Sequence, residues 1–147
     1  MYKDASDRFL RLILLQDELL ATRPEFKVGT WIARARSLGG TPEEKELYEW
    51  NARVQITTWG NRLAADEGGL RDYAHREWNG ILKDFYYMRW KAWFDYQTQL
   101  LDGKKPVAID FYAIEEPWTK ATNVYSSEPE GDCIPTVKRI FVEIFGK

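Results

Sequence analysis

Glu49-Trp50-Asn51-Ala52-Arg53-Val54-Gln55-Ile56-Thr57-Thr58-Trp59-Gly60, followed after a polar loop by Leu70-Arg71-Asp72-Tyr73-Ala74, is the stretch that decides how this chain folds. Leu47, Trp50, Val54 and Thr57 recur at helical spacing on one face, which leaves Asn51, Arg53 and Gln55 as polar groups needing partners or solvent. Gly60 supplies a C-terminal stop, because glycine accepts a left-handed backbone; Trp59 is then expected at the mouth of a loop. The next helix is expected to begin near Gly69 or Leu70, with Asp72 stabilising its first turn and Tyr73 close by. Two aromatics offered from adjacent helix ends make a wall on which a sugar ring can stack.

The rest of the chain reads as helix on either side. A first helix is expected from Asp4 or Ser6 to about Thr22, with Phe9, Leu12, Leu15 and Leu19 at helical spacing and Pro24 preventing continuation. A second covers about Phe26 to Leu38 and stops at Gly39-Gly40. Thr41-Pro42-Glu43-Glu44 is a strong start signal, an N-cap threonine with proline at the first helical position and a capping-box glutamate, and the helix it opens is expected to end near Trp59.

The fourth helix, from about Leu70 to Leu101 or Asp102, carries Phe85, Tyr86, Tyr87, Trp90, Trp93, Phe94 and Tyr96 around most of its circumference, as expected of a central helix. Gly80 is a point where it could bend. Asp110 can cap a short helix through Phe111, Tyr112 and Ile114, with a break expected at Glu116 before Pro117. A last helix is expected from about Ile134 to Phe145, with Val137, Ile140, Phe141 and Ile144 on one face. No run alternates long enough for a strand. The fold expected is all-α: one domain over residues 1–147, a bundle of five or six helices around one long aromatic-rich central helix.

Composition narrows the function. With 44% hydrophobic and 15% aromatic residues and seven Trp, 147 residues suffice for an ordered, aromatic-rich core. A net charge of -2 gives no electrostatic footprint for nucleic acid, and no stretch reaches the roughly 18 apolar residues of a membrane span. The single cysteine, Cys133, excludes an internal disulfide, and with His75 as the one histidine no zinc site or other cofactor is expected. His75 reads as a solvated helix-face residue, and Cys133 as incidental.

Tyr48-Glu49-Trp50-Asn51-Ala52-Arg53, Gln55-Ile56-Thr57-Thr58-Trp59-Gly60, Asp72-Tyr73-Ala74 and Tyr86-Tyr87-Met88-Arg89-Trp90, in this order and spacing, resemble the C-terminal helical domain of alpha-N-acetylglucosaminidases, glycoside hydrolase family 89. The turn at Gly131-Asp132 and the helix through Val137-Lys138-Arg139-Ile140-Phe141 are similar to that family's closing segment. The resemblance implies that Trp59, Leu70 and Tyr73 line a site for terminal N-acetylglucosamine, where the helical domain leans over the mouth of a barrel domain. By the same resemblance the catalytic carboxylates belong to that barrel, so no catalytic residue is assigned here. The partners it implies are the barrel domain of the same enzyme and an N-acetylglucosamine-terminated glycan. An exported enzyme is implied, periplasmic, extracellular or lysosomal; since Met1 to Asp7 lack a secretory signal, the chain is expected to be a fragment cut at a domain boundary. The loop from Asn61 to Gly69 is longer than the family's usual turn, and an amide is usual where His75 stands.

The residues themselves leave alternatives open. Trp59, Leu70 and Tyr73 could be core residues at helix ends, and the aromatics from Tyr86 to Trp90 read as core packing rather than a sugar platform. Asn51 and Arg53 are expected to fix helix contacts or a domain interface by hydrogen bonding. Glycoside hydrolysis needs two carboxyl groups about 5 to 5.5 Å or about 6.5 to 9.5 Å apart. Glu115 and Glu116, adjacent on a helix, point apart rather than across a cleft, and both they and Asp72 are expected to be structural or solvated. A carbohydrate-binding or protein-interaction module working alone is the alternative to the glycosidase domain.

Overall fold

The computed structural model describes residues 2–146, which form six α-helices and no strand. Helix α1 spans Tyr2–Ala21, α2 Val28–Arg36, α3 Pro42–Gln55, α4 Tyr87–Leu101, α5 Phe111–Thr119 and α6 Cys133–Phe145. Leu10 and Ile13 of α1, Val28 and Ile32 of α2, Ile56 after α3, Ile81, Leu82, Phe85 and Tyr86 before α4, and Trp118 of α5 share one buried cluster. No helix is long and apolar enough to cross a membrane among the described residues.

Local signals fix several ends. The Thr41 hydroxyl accepts from the Glu44 amide and the Glu44 carboxylate accepts from the Thr41 amide, with Pro42 at the first helical position, so the capping box forms as expected. Asp110 caps α5 by accepting from the Ala113 amide at 3.0 Å. Pro117 does not break α5. It lies two residues before the helix ends, so the chain forfeits a single backbone bond there. At the other end, α1 already runs through Asp4 and Ser6. It buries Leu10, Ile13, Leu15 and Asp17 and leaves Phe9 and Leu12 exposed.

The expected long central helix is shorter and less enclosed. Residues 70–79 are irregular, and the helical path begins at Ile81, passes through a π-helical turn at Leu82–Tyr86 and continues as α4. The cause lies on α1. The buried Asp17 carboxylate accepts from the Gly80 amide at 2.6 Å, the Lys83 amide at 3.1 Å and the Asn79 side chain at 2.7 Å, which satisfies the exposed donors of a helix start at this point. Asn79 also exchanges two backbone bonds with the chain around Lys27, at 2.8 and 3.1 Å, and is held extended. Gly80 has φ 91°, and a Cβ there would lie 2.8 Å from Tyr125 and Val28. Leu82, Phe85 and Tyr86 are buried, whereas α4 itself buries no residue fully and leaves Met88, Trp90 and Trp93 exposed.

The face that apolar spacing marks on α3 is only partly turned inward. Leu47 and Trp50 are exposed, as is Asn51, Val54 is half-buried and Thr57 buried, while Ala52, Arg53 and Ile56 are also buried. Arg53 is 0% exposed, and each of its five N–H donors has an acceptor. Nε and Nη2 donate to Glu49 at 2.9 and 2.7 Å, Nη1 to the Trp118 carbonyl and the Asn123 side chain at 3.2 and 3.3 Å, and Nη2 to the Asn123 carbonyl at 2.9 Å. The guanidinium also stacks on the rings of Trp118 and Tyr125, 4.9 and 5.4 Å from their centres. It ties α3 to the end of α5 and to the segment that follows. That segment passes so close to α2 that a Cβ on Gly29 would meet the Ser126 carbonyl oxygen at 2.2 Å.

Replacing Arg53 by Met keeps the aliphatic stem and removes all five donors, leaving the Trp118 and Asn123 carbonyls without them. The expected loss is about 3–5 kcal/mol of folding stability, read from urea denaturation followed by circular dichroism. A loss below about 1 kcal/mol would mean that the guanidinium is dispensable.

Candidate functional site

Trp59 and Tyr73 are brought together from two loops. Helix α3 ends at Gln55, short of the expected end near Trp59, and the Thr57 hydroxyl donates back to the Arg53 carbonyl at 2.7 Å. The left-handed turn falls on Trp59 itself, at φ 61°, and not on Gly60. Its amide donates to the Val54 carbonyl at 2.8 Å, which folds the chain back over the helix end. The second loop makes a turn closed by the Tyr73 amide on the Leu70 carbonyl at 3.0 Å. Asp72, expected in the first turn of a helix, lies in this turn with φ 61°. Its amide donates to the Thr57 carbonyl at 2.9 Å and clips the two loops together.

The two rings meet edge to face with centres 5.1 Å apart. Trp59 and Leu70 are half-buried, and Tyr73 is 74% exposed. Loop residues 61–69 fold into a π-helical turn at Leu63–Glu67 beside them, and the Leu70 amide donates to the Ala64 carbonyl at 3.2 Å. That turn is anchored to α5 by Arg62, which donates to Asp110 at 2.7 Å and lies over the Tyr112 ring. His75 is exposed and lies in the loop rather than on a helix.

Beneath the rings runs a chain of charges of alternating sign: Asp66, Arg71, Glu115, Arg89, Asp72. Glu115 is 1% exposed, with one carboxylate oxygen bound by Arg71 and the other accepting from Arg89 Nε at 2.5 Å. Burial pushes its carboxyl above the usual carboxylate range, and the two guanidiniums pull it back. Arg89 extends to Asp72 through both terminal nitrogens and lies over the rings of Phe85 and Tyr86, 5.1 and 5.0 Å from their centres. The Tyr86 hydroxyl donates to Asp72 at 3.2 Å, and burial with that neighbouring carboxylate holds the phenol well above its ordinary range. Glu115 and Asp72 are therefore ion-paired rather than solvated. Glu116 sits outside this chain, paired with Lys120 at 2.7 Å.

The structure brings Trp59 and Tyr73 into contact, with Leu70 opening the turn that carries Tyr73, and adds an ionic chain that sequence reasoning missed. Its partners stand far apart along the sequence, so no spacing rule joins Arg71 or Arg89 to Glu115. Tyr86 is buried as expected, whereas Met88 and Trp90 from the same run are exposed. The free Cys133 opens α6. A separate groove of about 570 Å³ lies between α2, α3 and residues 119–125, with Ile32, Arg36, Trp50 and Tyr125 in its walls. It contains none of the three wall residues. No cluster of metal-ligating side chains occurs among the described residues.

The arrangement offers an aromatic pair at the surface and an exposed phenolic hydroxyl, groups suited to a ring with one apolar face and polar edges. Comparison with known proteins identifies relatives that match nearly the whole chain. The family model described as the alpha-N-acetylglucosaminidase (NAGLU) C-terminal domain matches residues 1–143. Human alpha-N-acetylglucosaminidase is 28% identical over 134 residues, which cover 88% of this chain and 17% of the human protein. A family 89 glycoside hydrolase from Clostridium perfringens, in complex with 2-acetamido-1,2-dideoxynojirmycin, is 40% identical and superposes with a TM-score of 0.87 over 96% of this chain and 17% of that one. The same organism's enzyme in complex with its substrate GlcNAc-alpha-1,4-galactose is 39% identical, with a TM-score of 0.84 over 94% of this chain and 16% of that one. The chain thus spans about a sixth of the length of these relatives.

Removal of Glu115 tests the ionic chain. Glu115→Ala removes the buried carboxylate between the half-buried Arg71 and Arg89, leaving two cations side by side with Asp66 and Asp72 as their remaining partners, and is expected to cost about 3–5 kcal/mol of stability. Thermal and urea denaturation of the variant measure it.

Proposed function

We propose a function from one premise: the chain belongs to the alpha-N-acetylglucosaminidase C-terminal domain family. It is the helical domain of a family 89 glycoside hydrolase, and through Trp59, Leu70 and Tyr73 it supplies one wall of a pocket for a terminal N-acetylglucosamine. The acid and nucleophile lie on a separate barrel domain of the same enzyme. The observation that carries this reading is the Trp59–Tyr73 pair, whose rings stand edge to face at the surface with Tyr73 largely open to solvent. A core pair would be enclosed. An indole face packs on the C–H face of a pyranose, and a tyrosine hydroxyl bonds a sugar hydroxyl.

The carboxylates of this surface do not favour an independent hydrolase. Glu115 is locked between two arginines, and Asp72 is held by Arg89 and Tyr86. An acid that protonates a leaving group and a partner that attacks or activates water must both face the scissile bond. The 147-residue chain alone is therefore expected not to hydrolyse an aryl alpha-N-acetylglucosaminide. Turnover by the pure chain, lost when one of its own carboxylates is replaced, would show otherwise.

In the complete enzyme, Trp59→Ala and Tyr73→Phe are expected to lower kcat/KM by about tenfold or more, a loss of roughly 1.4 kcal/mol or more of transition-state binding. The fold should remain largely intact, because neither side chain is fully buried. Steady-state kinetics beside thermal melts check both points. If Trp59→Ala unfolds the domain and Tyr73→Phe leaves the kinetics unchanged, the pair is packing and nothing more. Binding of N-acetylglucosamine by the isolated chain separates this reading from a module that works alone: half a pocket is expected to bind in the millimolar range or weaker, a complete one at about micromolar Kd.

A further inference from the structure

Trp59 and Asp72 have left-handed backbones, both at φ 61°, and no other non-glycine among the described residues does. Asp tolerates that region better than most residues and Trp does not. Such strain persists where the surroundings over-determine it, and it gathers at functional sites. Here both instances fall on the pair of loops that carries the aromatic wall, one on Trp59 itself and the other on the residue just before Tyr73.

Asp72 is held at every polar group it has. Its amide donates to the Thr57 carbonyl at 2.9 Å and its carbonyl accepts from the His75 amide at 3.1 Å. One carboxylate oxygen accepts from the Tyr86 hydroxyl at 3.2 Å and from Arg89 Nη2 at 3.1 Å, and the other is bound by Arg89 Nη1. Arg89 is itself fixed, since Glu115 takes its Nε at 2.5 Å and two aromatic rings lie against its plane. A bidentate guanidinium sets direction as well as distance. Asp72 so gripped fixes the backbone from which Tyr73 follows, and the Tyr73 ring stands edge to face with Trp59.

Resting on the pocket-wall reading, we propose that Asp72 is a positioning residue: gripped by Arg89 and Tyr86, it holds the Leu70–Tyr73 turn so that Tyr73 meets Trp59 in the orientation the sugar requires. Its role is separable from folding, because the turn's main-chain bonds to Thr57 and Leu70 do not involve the carboxylate. The wall is thus set by a charge that never touches substrate.

The test is a double-mutant cycle in the complete enzyme, with an aryl alpha-N-acetylglucosaminide as substrate and D72N, Y73A and the double variant compared with the parent. Asparagine adopts the left-handed region as readily as aspartate, so D72N keeps the backbone and removes the charge that Arg89 grips. D72N is expected to lower kcat/KM by about ten- to a hundredfold, the scale of a small misplacement of a binding group. Its melting temperature should stay within a few degrees of the parent's, and it should cost nothing further in the Y73A background. A D72N enzyme with unchanged kcat/KM overturns the proposal, as does one that melts early or fails to fold, or one whose loss adds in full to that of Y73A. An unimpaired Y73A enzyme removes the pocket-wall reading and this proposal with it, whereas impaired Y73A beside unimpaired D72N removes the proposal alone.

Discussion

A guanidinium with no exposure and no spare donor holds this domain in register. Arg53 reaches its acceptors from three pieces of chain, α3, the end of α5 and the segment through Asn123, and it is flanked by the rings of Trp118 and Tyr125. Burying an arginine is costly unless every donor is met, so the site tolerates very few arrangements of those three pieces. Glu49, which takes two of the bonds, also accepts from Arg36 at 2.6 Å and draws α2 into the same cluster. From there the order propagates. Trp118 donates its indole N–H to the Tyr125 hydroxyl, which donates in turn to Asp84 on the π-helical turn before α4, each at 2.8 Å. Burial and that carboxylate push the Tyr125 phenol up to about 12, so it stays a donor at any ordinary pH.

A second polar contact, Asp17 on the start of the Ile81 helix, decides where Arg89 stands. Had that helix begun at Leu70, Asp72 and Tyr73 would lie on its first turn, without the left-handed turn that clips them to Thr57. The contact between Trp59 and Tyr73 at the surface thus depends on a carboxylate buried on α1, which ends the irregular stretch at Gly80 and leaves the residues before it to form a turn.

What was legible in the sequence is what adjacent residues decide. Thr41, Pro42 and Glu44 announce the start of α3 because their hydrogen bonds are made among themselves, and Asp110 announces α5 for the same reason. That Trp59 and Tyr73 stand near each other at the edges of a polar loop was also legible, as aromatic groups placed on either side of it. The stretch from Leu70 to Asn79 was not: it has few local breakers, and its irregular path is imposed by Thr57, Phe26 and Asp17 from elsewhere in the chain. The inward face of α3 escaped for a related reason. Apolar spacing counts Leu47 and Trp50 as core; Arg53 fixes helix contacts by hydrogen bonding as expected, but its full burial depends on the positions of Glu49, Trp118 and Asn123. In α4, aromatic content marked a buried helix, yet a ring counts toward apolarity whether or not anything covers it, and Trp90 and Trp93 are exposed.

The alternating chain from Asp66 to Asp72 has a consequence for inheritance. Each interior link neutralises two neighbours, so changing one residue strands a charge on both sides, and reversing one sign sets three like charges in a row. A lineage cannot wander through such an arrangement one codon at a time without passing through a weakened intermediate. Related sequences should therefore keep the five charges together or exchange them in sets, and an alignment would show Arg71, Glu115 and Arg89 drifting as a correlated group while exposed pairs such as Lys91 with Asp95 change freely.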